Sequence, residues 1–247
     1  MQYPIIRSRV QNLTADGGFN YIDSTVTILA QPLYDDHIRT IKFGGNYDFS
    51  DRFRGSNLIG LHIEQGLPIL GASNDPNSTE VSRFGATGVF TKGVLQLIHL
   101  QPLFSRFSAF FLVNGQYSFD PLLSSEQYGF GGSQLGRGYD PAEIIGDKGI
   151  GGTVELRMDM MPGWYLLQTM QAYVFYDAGV IYNIQNLPNV QSKQSATSTG
   201  IGTRVALMNH LSGNVMISQP LTKQIAAEEV IGRGRCPRVQ FSLVATL

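Results

Sequence analysis

The feature that most constrains this sequence is an alternation of apolar and polar residues with a period of two. It is clearest in IGGTVELRMDM at Ile150–Met160, where even positions are apolar or small and odd positions include three charged residues. Successive side chains of a β-strand point to opposite faces of the sheet, so this segment predicts a strand with one apolar and one charged face. Met170–Tyr182 and Arg238–Leu247 repeat the pattern.

About ten strands follow from this pattern. They are predicted at residues 5–24, 36–50, 55–68, 82–100, 107–119, 149–161, 166–183, 197–208, 211–221 and 237–247. Short connections such as SDRFRGS and QPLFSR alternate with long ones, including the loop Ser124–Lys148. Short turns on one side and long loops on the other are typical of outer-membrane barrels. A soluble β-sandwich also alternates, so the pattern alone leaves both architectures open.

Composition excludes several classes of protein. Charged residues make up 15% of the chain, against roughly 25% in ordinary soluble domains. The sequence contains no run of about 18 apolar residues, which a membrane-spanning helix would require. A net charge of −1 gives no electrostatic reason to expect nucleic-acid binding. The single Cys236 excludes an intramolecular disulfide and a multi-cysteine metal site.

Nothing in the sequence predicts an enzyme. The four histidines are scattered and lack the paired spacing of a metal site. Ser133 in GGSQL lacks the final glycine of a nucleophile elbow, and no phosphate-binding Gly-x-x-x-x-Gly-Lys motif occurs. We therefore expect neither a catalytic residue, nor a metal, nor a cofactor.

One long loop stands out between two predicted strands. FGGSQLGRGYDPAEIIGDKG at Phe130–Gly149 contains six glycines and has a single arginine, Arg137, between Gly136 and Gly138. No periodic apolar pattern runs through it. From composition alone this is a surface loop with a solvated arginine, since loops usually lie on protein surfaces.

Three ordered motifs resemble those of a known family. They are GQYSFDPLLSSEQYGFGGSQLGRGYDPAEIIGDKG (Gly115–Gly149), VELRMDM (Val154–Met160) and YVFYDAGVIYN (Tyr173–Asn183). The last carries a Phe-x-Asp-x-Gly element. Together they resemble the outer-membrane translocators of two-partner secretion, the haemolysin-activator and filamentous-haemagglutinin-secretor proteins. The resemblance covers nearly the whole chain.

The resemblance implies an all-β fold, an antiparallel transmembrane β-barrel. Family members have periplasmic POTRA domains and a sixteen-stranded barrel, and residues 1–247 resemble the last ten strands of that barrel. We therefore expect a C-terminal portion of the barrel that forms either an open curved sheet or a smaller, strained closure. The implied location is the bacterial outer membrane, in contact with its lipid.

The implied function is secretion of a large, unfolded exoprotein partner of haemolysin or adhesin type, with no cofactor. Alternatives are an insertase-type barrel that assembles outer-membrane proteins, a structural remnant without transport activity and, more distantly, a soluble lectin-like module. The segments LLSSEQ and DPAEIIGDKG favour a secretion protein over an insertase.

The resemblance also assigns roles to single residues. In the family this loop folds into the barrel lumen, where its arginine meets the aspartate of the Phe-x-Asp-x-Gly strand. Here these residues are Arg137 and Asp177, and a guanidinium fork can satisfy both oxygens of a buried carboxylate. Gly136 and Gly138 would let the backbone turn and approach the wall. The other predicted functional residues of the loop and lumen are Tyr139, Phe175, Gly179, Glu155 and Arg157.

Alternation also predicts which residues face lipid. The outward set is Val154, Leu156, Val174, Val180, Phe241 and Leu243. The inward set is Glu155, Arg157, Asp177 and Gln240. For Glu155 and Arg157, simple cross-strand charge pairing is the alternative to a role in holding the loop.

Overall fold

Within the residues that the structure describes, eleven antiparallel strands form one sheet. The computed structural model describes residues 1–164, 167–185, 191–207, 211–222 and 236–245. Neighbouring strands follow one another along the chain, and only the short pair β7–β8 leaves the main sheet. The strands are β1 (Gln2–Arg7), β2 (Gln11–Ile28), β3 (Gln31–Ser50), β4 (Ser56–Gly66), β5 (Thr91–Pro102), β6 (Phe107–Ser118), β7 (Tyr128–Phe130), β8 (Ile144–Gly146), β9 (Lys148–Met160), β10 (Leu167–Tyr182), β11 (Lys193–Leu207), β12 (Leu211–Pro220) and β13 (Arg238–Ala245).

The sheet is open. β1 and β13 form its two edges, and neither pairs with the other within the described residues. The all-β, antiparallel architecture and the open sheet agree with the sequence-based expectation. No helix in the described part of the chain is long and apolar enough to cross a membrane.

The first predicted strand, residues 5–24, is in fact two strands. β1 and β2 pair with each other, so the main sheet has eleven strands instead of ten. Ser8 makes the turn between them, because its hydroxyl accepts hydrogen bonds from the amides of Val10 (3.3 Å) and Gln11 (3.0 Å). Serine hydroxyls stabilise turns in this way, and the alternation continues across the turn and hides it.

The predicted connection at residues 25–35 is almost entirely strand. β2 and β3 run on to a two-residue turn at Leu29 and Ala30, whose φ angles are 51° and 63°. Hairpin turns of this kind usually contain asparagine or glycine, which is why the sequence gives no signal for it.

The predicted strand 82–100 begins late, at Thr91. Residues 82–90 belong instead to the loop between β4 and β5, where the amide of Ser82 donates to Asp36 Oδ1 at 2.9 Å and Gly85 has a φ of 79°. Parts of the predicted long loops after Tyr182 and Pro220, and parts of the turns MPGWYL and NHLS, lie outside the described residues.

The two faces of the sheet differ as predicted. We define the inner face as the one in contact with residues 119–147, the long loop, and the outer face as its opposite. The residues predicted to face outward are exposed, except for the half-buried Val180: Val154, Leu156, Val174, Phe241 and Leu243. On the inner face Glu155 and Asp177 are buried, and Arg157 and Gln240 are half-buried.

Candidate functional site

The long loop lies against the inner face of the sheet. It leaves β6 after Ser118, forms the β7–β8 hairpin and returns to β9 at Lys148. Its buried apolar side chains pack on wall residues of β10 and β11; the cluster is Phe130, Tyr139, Ile144, Ile181 and Ala196. An apolar core therefore forms between the loop and the inner face, where burial stabilises docking of the loop.

Gly179, the last residue of the Phe-x-Asp-x-Gly element, makes room for the loop. A Cβ atom at this position would lie 2.3 Å from Cδ2 of Phe130, a distance that real Cβ contacts essentially never show. The wall glycine and the loop aromatic ring are thus complementary in shape, and the ring occupies the place of a side chain.

Gly136 and Gly138 shape the loop around its arginine. Gly136 has a φ of 71°, in the left-handed region that glycine adopts without steric cost. At Gly138 a Cβ atom would lie 2.7 Å from the Cβ of Ser198 and 3.0 Å from the backbone nitrogen of Pro220. The first glycine therefore turns the chain, and the second lets it approach the wall.

Arg137 is held by Asp177 through three hydrogen bonds. Its Nη2 lies 2.7 Å from Asp177 Oδ1, and its Nε and backbone amide lie 3.1 Å and 2.8 Å from Oδ2. Arg137 is 2% exposed and Asp177 is 0% exposed. Such bidentate, charge-assisted geometry is among the strongest hydrogen-bonding arrangements in proteins.

Glu155 is the second carboxylate bound to this arginine. It accepts a hydrogen bond from Arg137 Nη1, while the hydroxyl of Thr153 accepts from Nη2 at 2.6 Å. Arg157 and Arg204 also donate to Glu155, at 2.7 Å and 3.2 Å. We call Arg137, Thr153, Glu155, Asp177 and Arg204 the tip cluster.

Aromatic groups complete the surroundings of the loop tip. The guanidinium carbon of Arg137 lies 3.5 Å from the centre of the Phe175 ring, a cation–π contact. Tyr139, 1% exposed, donates from its hydroxyl to the carbonyl of Thr197 at 2.8 Å. Phe175 therefore covers one face of the arginine, and Tyr139 fixes the adjacent backbone to β11.

A second ion pair, whose carboxylate is buried, lies where the long loop returns to β9. Arg83, on the loop between β4 and β5, donates through two nitrogens to the two oxygens of Asp147. Asp147, 0% exposed, also accepts from the amides of Leu122 and Ile184 at 2.9 Å and 2.8 Å. We call these four residues the base cluster.

Comparison with known proteins identifies the family. A model of haemolysin secretion/activation proteins, described as ShlB/FhaC/HecB, matches residues 1–205. The chain belongs to this family. Its members are outer-membrane proteins of two-partner secretion rather than known enzymes. No curated protein matches the sequence.

Two solved structures share the fold. CdiB from Escherichia coli aligns over 99% of this chain with a TM-score of 0.83 and 19% identity. CdiB from Acinetobacter baumannii aligns over 99% with a TM-score of 0.75 and 14% identity. The chain spans 44% and 40% of those two proteins, less than half of either.

In this member of the haemolysin secretion/activation family, the residues predicted for the loop and lumen lie at one place. Arg137 and Asp177 are in contact, as the motifs predicted, and Gly136, Gly138, Tyr139, Phe175 and Gly179 surround them. Glu155 does more than pair across strands, because it binds the loop arginine directly. Arg157 reaches the cluster through Glu155.

Sequence reasoning missed Thr153, Arg204 and the base cluster. Thr153 lies two positions before Glu155 on the same face of β9, so period two could have found it. Arg83 had been placed in a strand, and Asp147 was one of several acids in a loop. Their pairing spans 64 positions along the chain. No local pattern signals such a contact.

Proposed function

We propose that the protein secretes a large, unfolded exoprotein of adhesin or cytolysin type across the bacterial outer membrane. In this proposal residues 1–247 form the C-terminal part of the barrel wall, and the long loop lies in the lumen. The observation that carries it is the buried contact of Arg137 with Asp177 and Glu155, in a chain whose family is named for secretion.

The tip cluster suits a loop that must be held yet remain releasable. A buried arginine that is hydrogen-bonded to its carboxylates stabilises the docked loop, because removing either partner would leave a buried charge unpaired. When the loop leaves, water in the lumen can hydrate both partners, so the separated state is accessible as well. The Phe130 ring fills the space left by the absent side chain of Gly179, which we call the notch, and adds apolar contact to the docked state.

Passage of a polypeptide requires space that the docked loop occupies. The loop covers the inner face of β9, β10 and β11 through Phe130, Arg137 and Tyr139. We therefore assign the loop to the conduit itself, with Arg137 as the residue that positions it. Glu155, Thr153 and Asp177 supply the wall side of the contact.

The test is secretion of the partner by the intact protein carrying Arg137→Ala, Asp177→Ala or both. Each single substitution should cut the amount of exoprotein in the medium, and the double variant should be little worse, because both remove one shared interaction. Barrel levels in the outer membrane are measured in parallel. Asp48→Asn is the control, since it alters an inner-face contact between β3 and β2, in which Asn12 donates to the carboxylate at 2.8 Å.

Three results would contradict the proposal. Unchanged secretion in both single variants, at normal barrel levels, would mean that the tip cluster has no part in transport. Loss of unrelated outer-membrane proteins instead of the exoprotein would point to an insertase. Absence of secretion by the unsubstituted protein at normal levels would identify a transport-inactive remnant.

A further inference from the structure

We propose that Arg238 and Gln240 are positioning residues that couple the long loop to the last strand, β13. In this arrangement the docked loop holds β13 in place, and β13 holds the loop. The consequence for transport rests on the proposed function, but the coupling itself is a property of the fold. Neither residue belongs to the motifs that identify the family.

Among the strands that the structure describes, β13 has one neighbour. Within the described residues it pairs only with β12, from Leu211↔Ala245 to Ser218↔Arg238, and its second edge has no partner strand there. Its outer-face residues Val239, Phe241 and Leu243 are exposed. The inner face is where the described residues offer β13 contacts beyond those with β12.

The loop tip supplies a second attachment on the inner face. Arg238 Nη1 lies 2.7 Å from Asp140 Oδ1, and Nη2 lies 3.8 Å from Glu143 Oε2. Gln240 Nε2 donates to the carbonyl of Arg137 at 2.9 Å. Two consecutive inner-face positions of β13 therefore bind three residues of the loop.

Arg137 is the point where these contacts meet the tip cluster. Its guanidinium binds Asp177 on β10 and Glu155 on β9, whereas its carbonyl accepts from Ser218 on β12 (2.7 Å) and Gln240 on β13. One loop residue thus connects four strands of the sheet. Movement of this residue breaks the contacts with the last two strands together with those to β9 and β10.

The contacts between loop and β13 are discrete polar bridges. An open groove lies between the described parts of the two elements, lined by Ser133, Tyr139, Asp140, Arg238 and Gln240 among others. The side chain of Asp140 is 47% exposed and that of Glu143 is 5% exposed. The half-exposed pair contributes less than the bond to the buried Arg137 carbonyl, because solvent screens it.

Linkage makes the coupling reciprocal. If docking of the loop lowers the equilibrium constant for local opening of β13 by some factor, then ordering of β13 raises the equilibrium constant for docking of the loop by the same factor. During secretion, release of the loop would therefore also loosen the final strand of this sheet.

Hydrogen exchange of the intact protein in lipid nanodiscs tests this without any secretion assay. Arg137→Ala should speed exchange of the β13 amides roughly 5- to 20-fold, at the lower end of typical coupling strengths, with little change in β3 and β4. Arg238→Gln combined with Gln240→Leu leaves the tip cluster intact and should speed exchange of residues 128–146 by a similar factor. Asp48→Asn, which alters the contact with Asn12 between β3 and β2, is the control and should change neither region.

Exchanging the charges of Asp140 and Arg238 distinguishes coupling from a general loss of stability. Asp140→Arg alone and Arg238→Asp alone should each speed exchange of both elements, and the two together should restore slow exchange. The proposal is overturned if Arg137→Ala frees the loop but leaves β13 protected, or if the whole sheet speeds up equally. Should Arg137→Ala fail to fold, unchanged loop exchange in the Arg238/Gln240 variant overturns it as well.

The two proposals fail in different ways. Coupled exchange in a protein that secretes nothing would refute the proposed function and leave the coupling intact. Normal dependence of secretion on Arg137 with uncoupled exchange would refute only the coupling.

Discussion

The tip cluster and the base cluster hold the same loop by opposite arrangements of charge. At the tip the loop provides the cation, Arg137, and the sheet provides two carboxylates. At the base the loop provides the carboxylate, Asp147, and a neighbouring loop provides the cation, Arg83. Both central residues are almost completely buried, at 2% and 0% exposure.

The partners of the two clusters show that their tasks differ. Asp147 binds the backbone near the ends of β6 and β10 as well as Arg83, so the base cluster gathers strand ends and two loops. Arg137 binds side chains in the middle of β9 and β10, far from the ends of the loop. We conclude that the base cluster fixes where the loop starts and ends, and that the tip cluster fixes whether it lies across the inner face.

The largest effect is expected from Arg137→Ala. It leaves Asp177 and Glu155 buried without their main partner, a change that typically costs 3–5 kcal/mol when the site is truly buried. Proteolysis within residues 131–143 should accelerate strongly, whereas β3–β4 stay resistant. Arg137→Lys should be intermediate, because an ammonium cannot bind two carboxylates in a fork. Equal proteolysis of Arg137→Ala and the unsubstituted protein would show that apolar packing alone docks the loop.

Asp147→Asn should have a smaller and differently placed effect. The amide keeps one acceptor oxygen for Leu122 or Ile184 but removes the charge opposite Arg83, at a cost of about 1.5–3 kcal/mol. Hydrogen exchange should rise at both ends of the long loop and in residues 82–90, with the tip still protected. Asp75→Asn, at an exposed position on the same neighbouring loop, is the control. Loss of protection at the tip first would contradict the division of tasks.

Gly179→Ala tests the apolar part of the docking. The added methyl would collide with the ring of Phe130, which must shift, and overpacking of this kind typically costs 1–3 kcal/mol. Gly18→Ala is a matched control in β2, where a Cβ would have nothing within 4 Å. Thermal unfolding should separate the two variants. If both behave alike, the notch at Gly179 is not what positions the loop.

The sequence predicts the wall of this molecule better than its loops. Strands such as β9 and β10 follow from alternation because each has one face toward the loop and one away from it. The turn at Leu29–Ala30 could not be predicted, since residues without a turn preference adopt positive φ there. The turn at Ser8 could not be predicted either, because the alternation of apolar and polar residues continues through it.

The same division applies to the site. Arg137 and Asp177 could be paired because the motifs of a family tie them together. Arg83 and Asp147 have no such signature and lie in different loops. Contacts between loops depend on how the whole sheet brings the strand ends together, which no local pattern records. Arg238 belongs to the same class, because its partner Asp140 lies 98 positions away.

Arg204→Gln should have the smallest effect on the free energy of unfolding. It tests whether the burial of a side chain determines how much that side chain contributes to the tip cluster. The side chain of Arg204 is 37% exposed, and Glu155 keeps Arg137 and Arg157 when it is lost. An ion pair this open to solvent contributes about 0–1 kcal/mol, and salt screens it. Unfolding at low and high salt should therefore show a small deficit for Arg204→Gln that disappears in about 1 M salt, whereas the deficit of Arg137→Ala persists. A large, salt-independent loss in Arg204→Gln would mean that Arg204 supports Glu155 as strongly as the loop arginine does, and that the docked loop depends on the wall arginine as well.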